Sequence, residues 1–370
     1  MLKLCFVLVD RANYGRLKPV MQECQKRHLP MDVVCGGSMV LSRFKRPVDI
    51  VKADGFRVTE ELLTDWEGST PASMAMGIGS AVQQFTGAFE RLAPDLVVII
   101  GDRFEALGAA IAAATTNRCI LHLQGGEVSG SIDESYRHAI TKLAHYHVPA
   151  TGRAKENIIR MGERAETVLA VGCPSADIAA GINVERGDHI LVAYHPTTTH
   201  WQTAAEEVRE VLAGVRMAAG ERPVKVMWPN IDAGSDAIAK AMRENRHKKW
   251  AFLTNVPPEE YAHYIAAAAC CVGNSSSFVR DAGFYGTPVV LVGDRQRGRE
   301  NDHAIQVFNL RAEHVANGIE MAAESLYRNI RQPSDLYGRP GVSREIVDAI
   351  ERIEPYTQKR LFMPEVACVP

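Results

Sequence analysis

Residues 95–135 read DLVVIIGDRFEALGAAIAAATTNRCILHLQGGEVSGSIDES. Two apolar runs, DLVVII and RCILHL, flank FEALGAAIAAATT, whose apolar residues recur at helical spacing. The runs do not alternate apolar with polar, so each strand is expected to be buried on both faces. Strand, helix and strand of this kind make a parallel βαβ unit. Gly101-Asp102-Arg103 and Gln124-Gly125-Gly126 then lie just past the carboxyl ends of two neighbouring strands.

The same alternation extends in both directions. LKLCFVLV and MDVVC precede the unit, with a helical pattern in SMAMGIGSAVQQFTGAFERL. After Cys173-Pro174 it restarts: HILVAY, PVKVMW, WAFLT, CCVG and PVVLVG are separated by AAEEVREVLAGVRMAA, SDAIAKAMREN and PEEYAHYIAAAA. A chain of 370 residues exceeds what one core usually supports. The expectation is an α/β protein of two Rossmann-like, doubly wound domains, residues 1–174 and 175–370, with a hinge near Gly172 to Asn183. VSREIVDAIERI reads as one more amphipathic helix, able to pack back on the N-terminal domain. In such folds ligands sit in the cleft outside the carboxyl ends of the strands.

Composition narrows the function classes. With 46% hydrophobic and 23% charged residues the chain is an ordinary globular one. A net charge of -2 gives no electrostatic case for nucleic acid or an anionic membrane. No stretch approaches the roughly 20 apolar residues of a membrane span. MLKLCFVLVDRANYG is cut off by Asp10 and Arg11 and reads as a first buried strand rather than a signal peptide. Eight cysteines, none in a C-x-x-C pattern, fit a reduced, cytoplasmic protein. The histidines lack metal-ligand spacing, so no metal is expected.

Chemistry is sought at the strand ends. VDRANYGRLKP reads as a polar loop from which Arg11 can reach a phosphate. In IIGDRFEALG, Asp102 and Arg103 open a helix; a carboxylate there is often only a cap, but one behind a fully apolar strand lies in the cleft. In SGSIDES, Ser131 and Glu134 fit a capping box, which leaves Asp133 at the helix N-terminus, where its ionised form is favoured. Arg137, His138, Lys142 and His145 on that helix each read as surface or interface residues. VGNSSSFVRDAG ends a strand in Gly273-Asn274, and Ser275 and Ser276 with helix-start N–H groups suit an anion. It is no Walker loop, lacking G-K-[ST]. Asp281, one turn on, suits two ribose hydroxyls. Arg295 belongs to a three-arginine cluster in GDRQRGRE, fit to neutralise a diphosphate, and AYHPTTTH and WPNIDAGS bring His195, Asn230 and Asp232 to the same edge.

Together RANYGRLKP, GDRFEAL, GGEVSGSIDES, RHAITKLAHYH, GCPSAD, HPTTT, PNIDAGS, GNSSS, VRDAG, GTPV and RQRGRE resemble the hydrolysing UDP-N-acetylglucosamine 2-epimerases, including the epimerase half of the bifunctional enzyme of sialic acid synthesis. The resemblance implies a GT-B architecture, with UDP on the C-terminal domain and the sugar against the N-terminal one. It implies phosphate binding by Asn274, Ser275 and Ser276, ribose binding by Asp281, and nucleotide-diphosphate contacts from Arg295, His195 and Asn230. Arg11 and Arg103 would face the sugar-diphosphate, and Asp102 and Asp133 match the family's catalytic carboxylates. The implied reaction eliminates UDP to a 2-acetamidoglucal and then hydrates it to free N-acetylmannosamine, with no cofactor. A cytoplasmic homodimer or homotetramer acting on a UDP-sugar is implied as well.

Three positions depart from the family. Gln124 stands where a catalytic Glu is usual, and an amide cannot exchange a proton at neutral pH. Glu127, three residues on, is the candidate to take over that transfer. Asn13 replaces an Asp, and Gly36-Gly37-Ser38 replaces a G-x-H pattern. Asp281 for Glu is a milder change. The readings kept open are a hydrolysing epimerase making free N-acetylmannosamine, the same chemistry on a 2,4-diacetamido-6-deoxy sugar of the legionaminic acid route, a GT-B relative that re-adds UDP or transfers the sugar, and a binding protein without turnover. Retention of Asp102 and Asp133 weighs against the last.

Overall fold

The computed structural model describes residues 2–183, 185–302, 305–327, 332–360 and 362. The first half runs β1 (Leu4–Leu8), α1 (Arg11–Lys26), β2 (Met31–Cys35), α2 (Val48–Ala53), β3 (Val58–Glu61), α3 (Pro71–Leu92), β4 (Leu96–Ile100), α4 (Phe104–Thr115), β5 (Cys119–Leu123), α5 (Asp133–Leu143), β6 (Tyr146–Val148) and α6 (Gly152–Arg160). The rest runs α7 (Ser175–Ala180), β7 (Ile190–Ala193), α8 (Ala204–Ala218), β8 (Val224–Met227), α9 (Ser235–Glu244), β9 (Trp250–Leu253), α10 (Pro258–Ala267), β10 (Cys270–Gly273), α11 (Ser276–Arg280), β11 (Val289–Val292), β12 (Ile305–Phe308), α12 (Ala312–Tyr327) and α13 (Val342–Ile350).

The strands form two six-stranded parallel sheets, ordered β3-β2-β1-β4-β5-β6 and β12-β11-β10-β7-β8-β9. Both follow one doubly wound scheme, with the order reversing between β1 and β4 and between β7 and β10. This is the two-Rossmann, GT-B arrangement that the resemblance implies. Burial on both faces explains the unbroken apolar strands. Leu4, Phe6 and Leu8 pack toward α1 and α13, while Cys5, Val7 and Val9 pack toward α3 and α4. Each such side chain contributes about 1.5–3 kcal/mol when taken out of water.

Where the strands are not doubly buried, the sequence pattern is weaker. β3, β6 and β12 lie at sheet edges, are three or four residues long, and carry polar or half-exposed side chains; β9, the fourth edge strand, is partly exposed but still legible as WAFLT. RANYGRLKP is helix rather than loop: α1 starts at Arg11, and Asp10 is its N-cap in a reciprocal box with Asn13 (Asn13 N–H to Asp10 Oδ1, 2.8 Å). The seven described cysteines are buried, and Cys368 lies outside the described residues. Among the described residues no helix is long and apolar enough to cross a membrane.

The chain passes between the halves twice. Going out it passes Gly172 and Cys173; coming back it passes Tyr337 and Gly338. The two segments pair, with Cys173 N–H donating to the Tyr337 carbonyl at 2.6 Å. A Cβ on Gly172 would lie 2.7 Å from the Cα of Gly338, so neither crossing tolerates a side chain there. Asp177 then accepts the N–H groups of Gly341 and Ser343 at 2.5 and 2.7 Å, which starts α13. Ile346, Val347 and Ile350 of α13 are buried in the core around β1.

Candidate active site

The carboxyl ends of both sheets open on one cleft. From the first half it is lined by Asp10 and Arg11 after β1, Asp102 and Arg103 after β4, Gln124 after β5 and Asp133 at the start of α5. From the second come His195 after β7, Asn230 after β8, Ser275 and Ser276 after β10, Asp281 at the end of α11 and Arg295 after β11. Of the thirteen site residues inferred from sequence, only Glu127 and Asn274 do not line the cleft.

Asp102 is no helix cap. The N-cap of α4 is Arg103, which makes no capping bond with its side chain. The Asp102 carboxylate instead faces the cleft and pairs with Arg137, whose side chain is fully buried. Burial alone would push the Asp102 carboxyl up. The guanidinium groups of Arg137, Arg299 and Arg280 outweigh that and hold it well below the ordinary carboxylate range. Asp133 goes the other way. Burial and the neighbouring Asp102 charge push it up to about 6, against the pull of Arg295, whose Nη2 is 3.4 Å away. Two carboxylates in one cleft are thus driven apart, one held ionised and the other able to take or give a proton near pH 6, which is the arrangement needed for paired base and acid work.

The expected capping box at α5 does not form. The N-cap is Ile132; the Ser131 hydroxyl donates to the Asp133 carboxylate at 2.9 Å, and Glu134 accepts the Ser129 N–H at 2.6 Å. Glu134 keeps a structural task, and Ser131 orients Asp133 directly. Gln124 is buried, with a left-handed φ of 60° that costs a non-glycine residue about 1–2 kcal/mol. Its amide donates to Cys173 Sγ at 3.0 Å while that thiol donates to Ser175 Oγ at 3.2 Å. The thiol's bond to Ser175 leaves sulfur as the acceptor, which fixes the amide orientation.

Glu127 is occupied elsewhere. Its carboxylate takes Arg280 Nε at 3.2 Å and Nη2 at 2.6 Å, and Arg299 Nη1 besides. Burial raises its pKa, but Arg280 and Arg299 pull the group below its usual value overall. It is not placed to trade protons with a sugar in the cleft. Asn274 is a clamp: its side chain accepts the His195 N–H at 2.7 Å and donates to the His195 carbonyl at 2.8 Å, locking the ends of β7 and β10 together. His195 is held neutral by burial and by Arg295, and its buried Nδ1 has no partner among the described residues.

Arg11 and Arg103 reach across the cleft. Arg11 donates to the carbonyls of Thr254 and Trp228 (2.8 Å for the latter), and Arg103 binds Asp232 and, at 3.2 Å through both Nε and Nη2, Glu105. Arg295 is less committed, with Nη1 3.3 Å from the Asn274 carbonyl. Ser275 caps α11 and its hydroxyl meets that of Ser277 at 2.8 Å. Asp281 Oδ1 is buried and has no hydrogen-bond partner among the described residues, and burial pushes its carboxyl up despite Arg16, whose Nη2 is 3.8 Å away.

The departures from the family pattern become legible here. Asn13 donates to the Ile100 carbonyl at 3.4 Å, which a carboxylate cannot do, and so ties α1 to the strand that carries Asp102. Ser38 is buried, donates to the Val9 carbonyl at 3.4 Å and does not line the cleft. Sequence reasoning missed Arg16, Arg137, Arg280 and Arg299. One signal was present: Asp133 and Arg137 are i, i+4 neighbours and share a helix face, so a cleft-facing Asp133 draws Arg137 inward rather than leaving it on the surface.

The family model described as UDP-N-acetylglucosamine 2-epimerase matches residues 22–351. The chain is 29% identical to the hydrolysing UDP-N,N'-diacetylbacillosamine 2-epimerase of Legionella pneumophila, across 96% of this chain and 97% of that one. It is 25% identical to the UDP-N-acetylglucosamine 2-epimerase of Neisseria meningitidis, over 87% and 88%. The solved structure of S. aureus MnaA with UDP superposes with a TM-score of 0.78 at 14% identity, covering 98% of this chain and all of the other.

Proposed function

The chain belongs to the UDP-N-acetylglucosamine 2-epimerase family, and from that premise we propose that it is a hydrolysing 2-epimerase of UDP-activated 2-acetamido sugars. The observation that carries this reading is the split carboxylate pair, Asp102 held ionised and Asp133 pushed up to about 6, facing Ser275, Ser276, Arg295 and Asp281 across one cleft. In this reading the first half, to about residue 174, takes the sugar, and the second takes UDP.

Asp102 removes the proton at sugar carbon 2 as the bond from carbon 1 to the diphosphate breaks and UDP departs, leaving a 2-acetamidoglucal. Arg295 and the serine hydroxyls stabilise the charge gathering on the diphosphate. Water then adds at carbon 1, and a carboxyl in the cleft returns a proton to carbon 2 on the opposite face, with Asp133, which exchanges its proton near pH 6, the group suited to that transfer. Net, UDP-N-acetylglucosamine and water give UDP and N-acetylmannosamine. Asp281 receives the ribose hydroxyls, and the unpaired His195 Nδ1 meets the diphosphate region. Gln124 serves as a fixed hydrogen-bonding group and carries no proton.

A second reading concerns the sugar alone. The Legionella relative is named for a UDP-diacetamido sugar, and an amide at Gln124 changes the sugar side of the cleft, so a UDP-2,4-diacetamido-6-deoxy sugar is the competing substrate. One experiment decides both matters. Each nucleotide sugar is incubated with the protein in deuterated water and followed by NMR. Free 2-epimer with deuterium at carbon 2 is expected, and the faster substrate is the physiological class. Accumulated glycal, or a UDP-linked epimer, shows incomplete or non-hydrolysing chemistry; no UDP release from either sugar refutes the proposal.

A further inference from the structure

We propose that Arg16 is a specificity residue for the nucleotide: its guanidinium, from the first half, and the Asp281 carboxylate, from the second, grip the ribose diol between them. This rests on the reading above that the cleft takes UDP. Arg16 lies on α1 and lines the cleft, yet its side chain is only 9% exposed. Nη1 donates to the Ala12 carbonyl at 3.4 Å, whereas Nε and Nη2 are buried and make no hydrogen bond among the described residues. Asp281 lines the same cleft from the other side. Arg16 Nη2 and Asp281 Oδ2 are 3.8 Å apart, an ion pair too long for a hydrogen bond, and the buried Oδ1 has no hydrogen-bond partner among the described residues.

Unused donors on one half thus meet an unused acceptor on the other. Buried groups left in this state carry a desolvation cost that a matching ligand removes. The match must accept from a guanidinium and donate to a carboxylate at the same place. A phosphate at neutral pH only accepts and an ammonium only donates, so neither fits. A hydroxyl does both, and a vicinal diol does so at two adjacent oxygens. Position along the nucleotide agrees. Asp281 follows Ser276 by five residues, about 7.5 Å along α11. With the diphosphate at Ser275 and Ser276, that step leads to the ribose. UDP is then held by both halves, and α1 belongs to the nucleotide site as well as to the sugar side. The imide edge of uracil offers the same two functions, and deoxy analogues separate it from the diol.

The test is calorimetry with UDP, 2′-deoxy-UDP and 3′-deoxy-UDP on the wild type, Arg16→Met and Arg16→Lys. The wild type is expected to bind UDP about tenfold or more tighter than at least one of the analogues. Arg16→Met is expected to weaken UDP by about tenfold or more and that same analogue by about threefold or less, because the partner of the guanidinium is already missing there. Equal weakening of all three nucleotides overturns the proposal, since Arg16 would then act through the fold, the net charge or the base. A wild type that binds all three alike overturns it too. Should Arg16→Met fail to fold, Arg16→Lys carries the test: it keeps the charge and loses the planar fork, and the preference for UDP over the analogue must fall by about threefold or more. An unchanged preference in that variant overturns the proposal. A wild type that binds no UDP sinks the proposed function together with this inference, whereas UDP binding without preference for the diol sinks the inference only.

Discussion

Replacing Asp133 by asparagine should stabilise the protein while destroying its activity. Asp133 is buried, and its pKa rises from the 3.8 of a free aspartate to about 6. A carboxyl with a raised folded-state pKa binds its proton more tightly when folded, so stability is fullest below the unfolded value. It is lost as pH climbs from about 4 to about 6, and the penalty stays constant above that. A shift of roughly two units corresponds to about 3 kcal/mol at most, part of it shared with Asp102. The amide of the Asp133→Asn variant cannot ionise and escapes the penalty, while its carbonyl still accepts from Ser131. The variant should therefore be more stable than the wild type by up to about 3 kcal/mol at pH 8, raising Tm by about 4 °C at most, with the difference nearly gone at pH 4. Its kcat should fall by about 10²–10⁴. Thermal melts at half-unit pH steps from 4 to 8, beside turnover of the nucleotide sugar, measure both. A variant less stable than the wild type at pH 8, or a gain independent of pH, refutes the assignment of Asp133 as a carboxyl whose ionisation in the folded state costs stability.

Other expectations follow from the same geometry. Asp102→Asn should lose elimination by about 10²–10⁴ while UDP affinity changes by about threefold or less; a comparable loss of UDP binding would mean that the residue shapes the nucleotide site instead. Gln124→Glu should speed hydration of the glycal by about tenfold, read as a shorter-lived intermediate by NMR; a neutral or harmful effect would show that the cleft is built around the amide. Gly130→Ala, whose added Cβ would run into the Asp294 carbonyl of the second half, should leave each half folded by circular dichroism but enlarge the radius of gyration in small-angle scattering and depress kcat. An unchanged radius and rate would mean that the 124–131 loop yields without opening the halves.

The fold was legible where burial is two-sided. β1, β4 and β5 are near-continuous apolar runs because both faces of the first sheet are covered, and β7, β10 and β11 repeat the pattern. The edge strands β3, β6 and β12 were not legible, because a strand half in water carries no such signature. The cleft residues could be placed because strand ends define the cleft in a parallel sheet. Their partners could not. Nothing in GGEVSG says that Glu127 turns away from the cleft to meet two arginines more than 150 positions later, and nothing in SIDES says that Glu134 reaches Ser129 rather than Ser131. Such choices are made by packing between halves, which a local pattern does not contain. Arg137, misread as surface charge, is buried against Asp102 of the same half, while Arg280 and Arg299 are offset by Glu127 from far along the chain.

The paired crossings at Gly172 and Gly338, with α13 seated beside β1, make the second sheet and its helices a guest inserted into the first half. Both of the guest's attachment points lie side by side, like two pins of one door. Such a mounting resists twisting and sliding but leaves a single swing about the line joining the pins. A substrate entering the cleft therefore needs no choice among many arrangements of the two halves. The two paired tethers shorten the effective loop that must close to bring the distant cleft groups together, so part of that entropy has been spent in folding the crossings themselves.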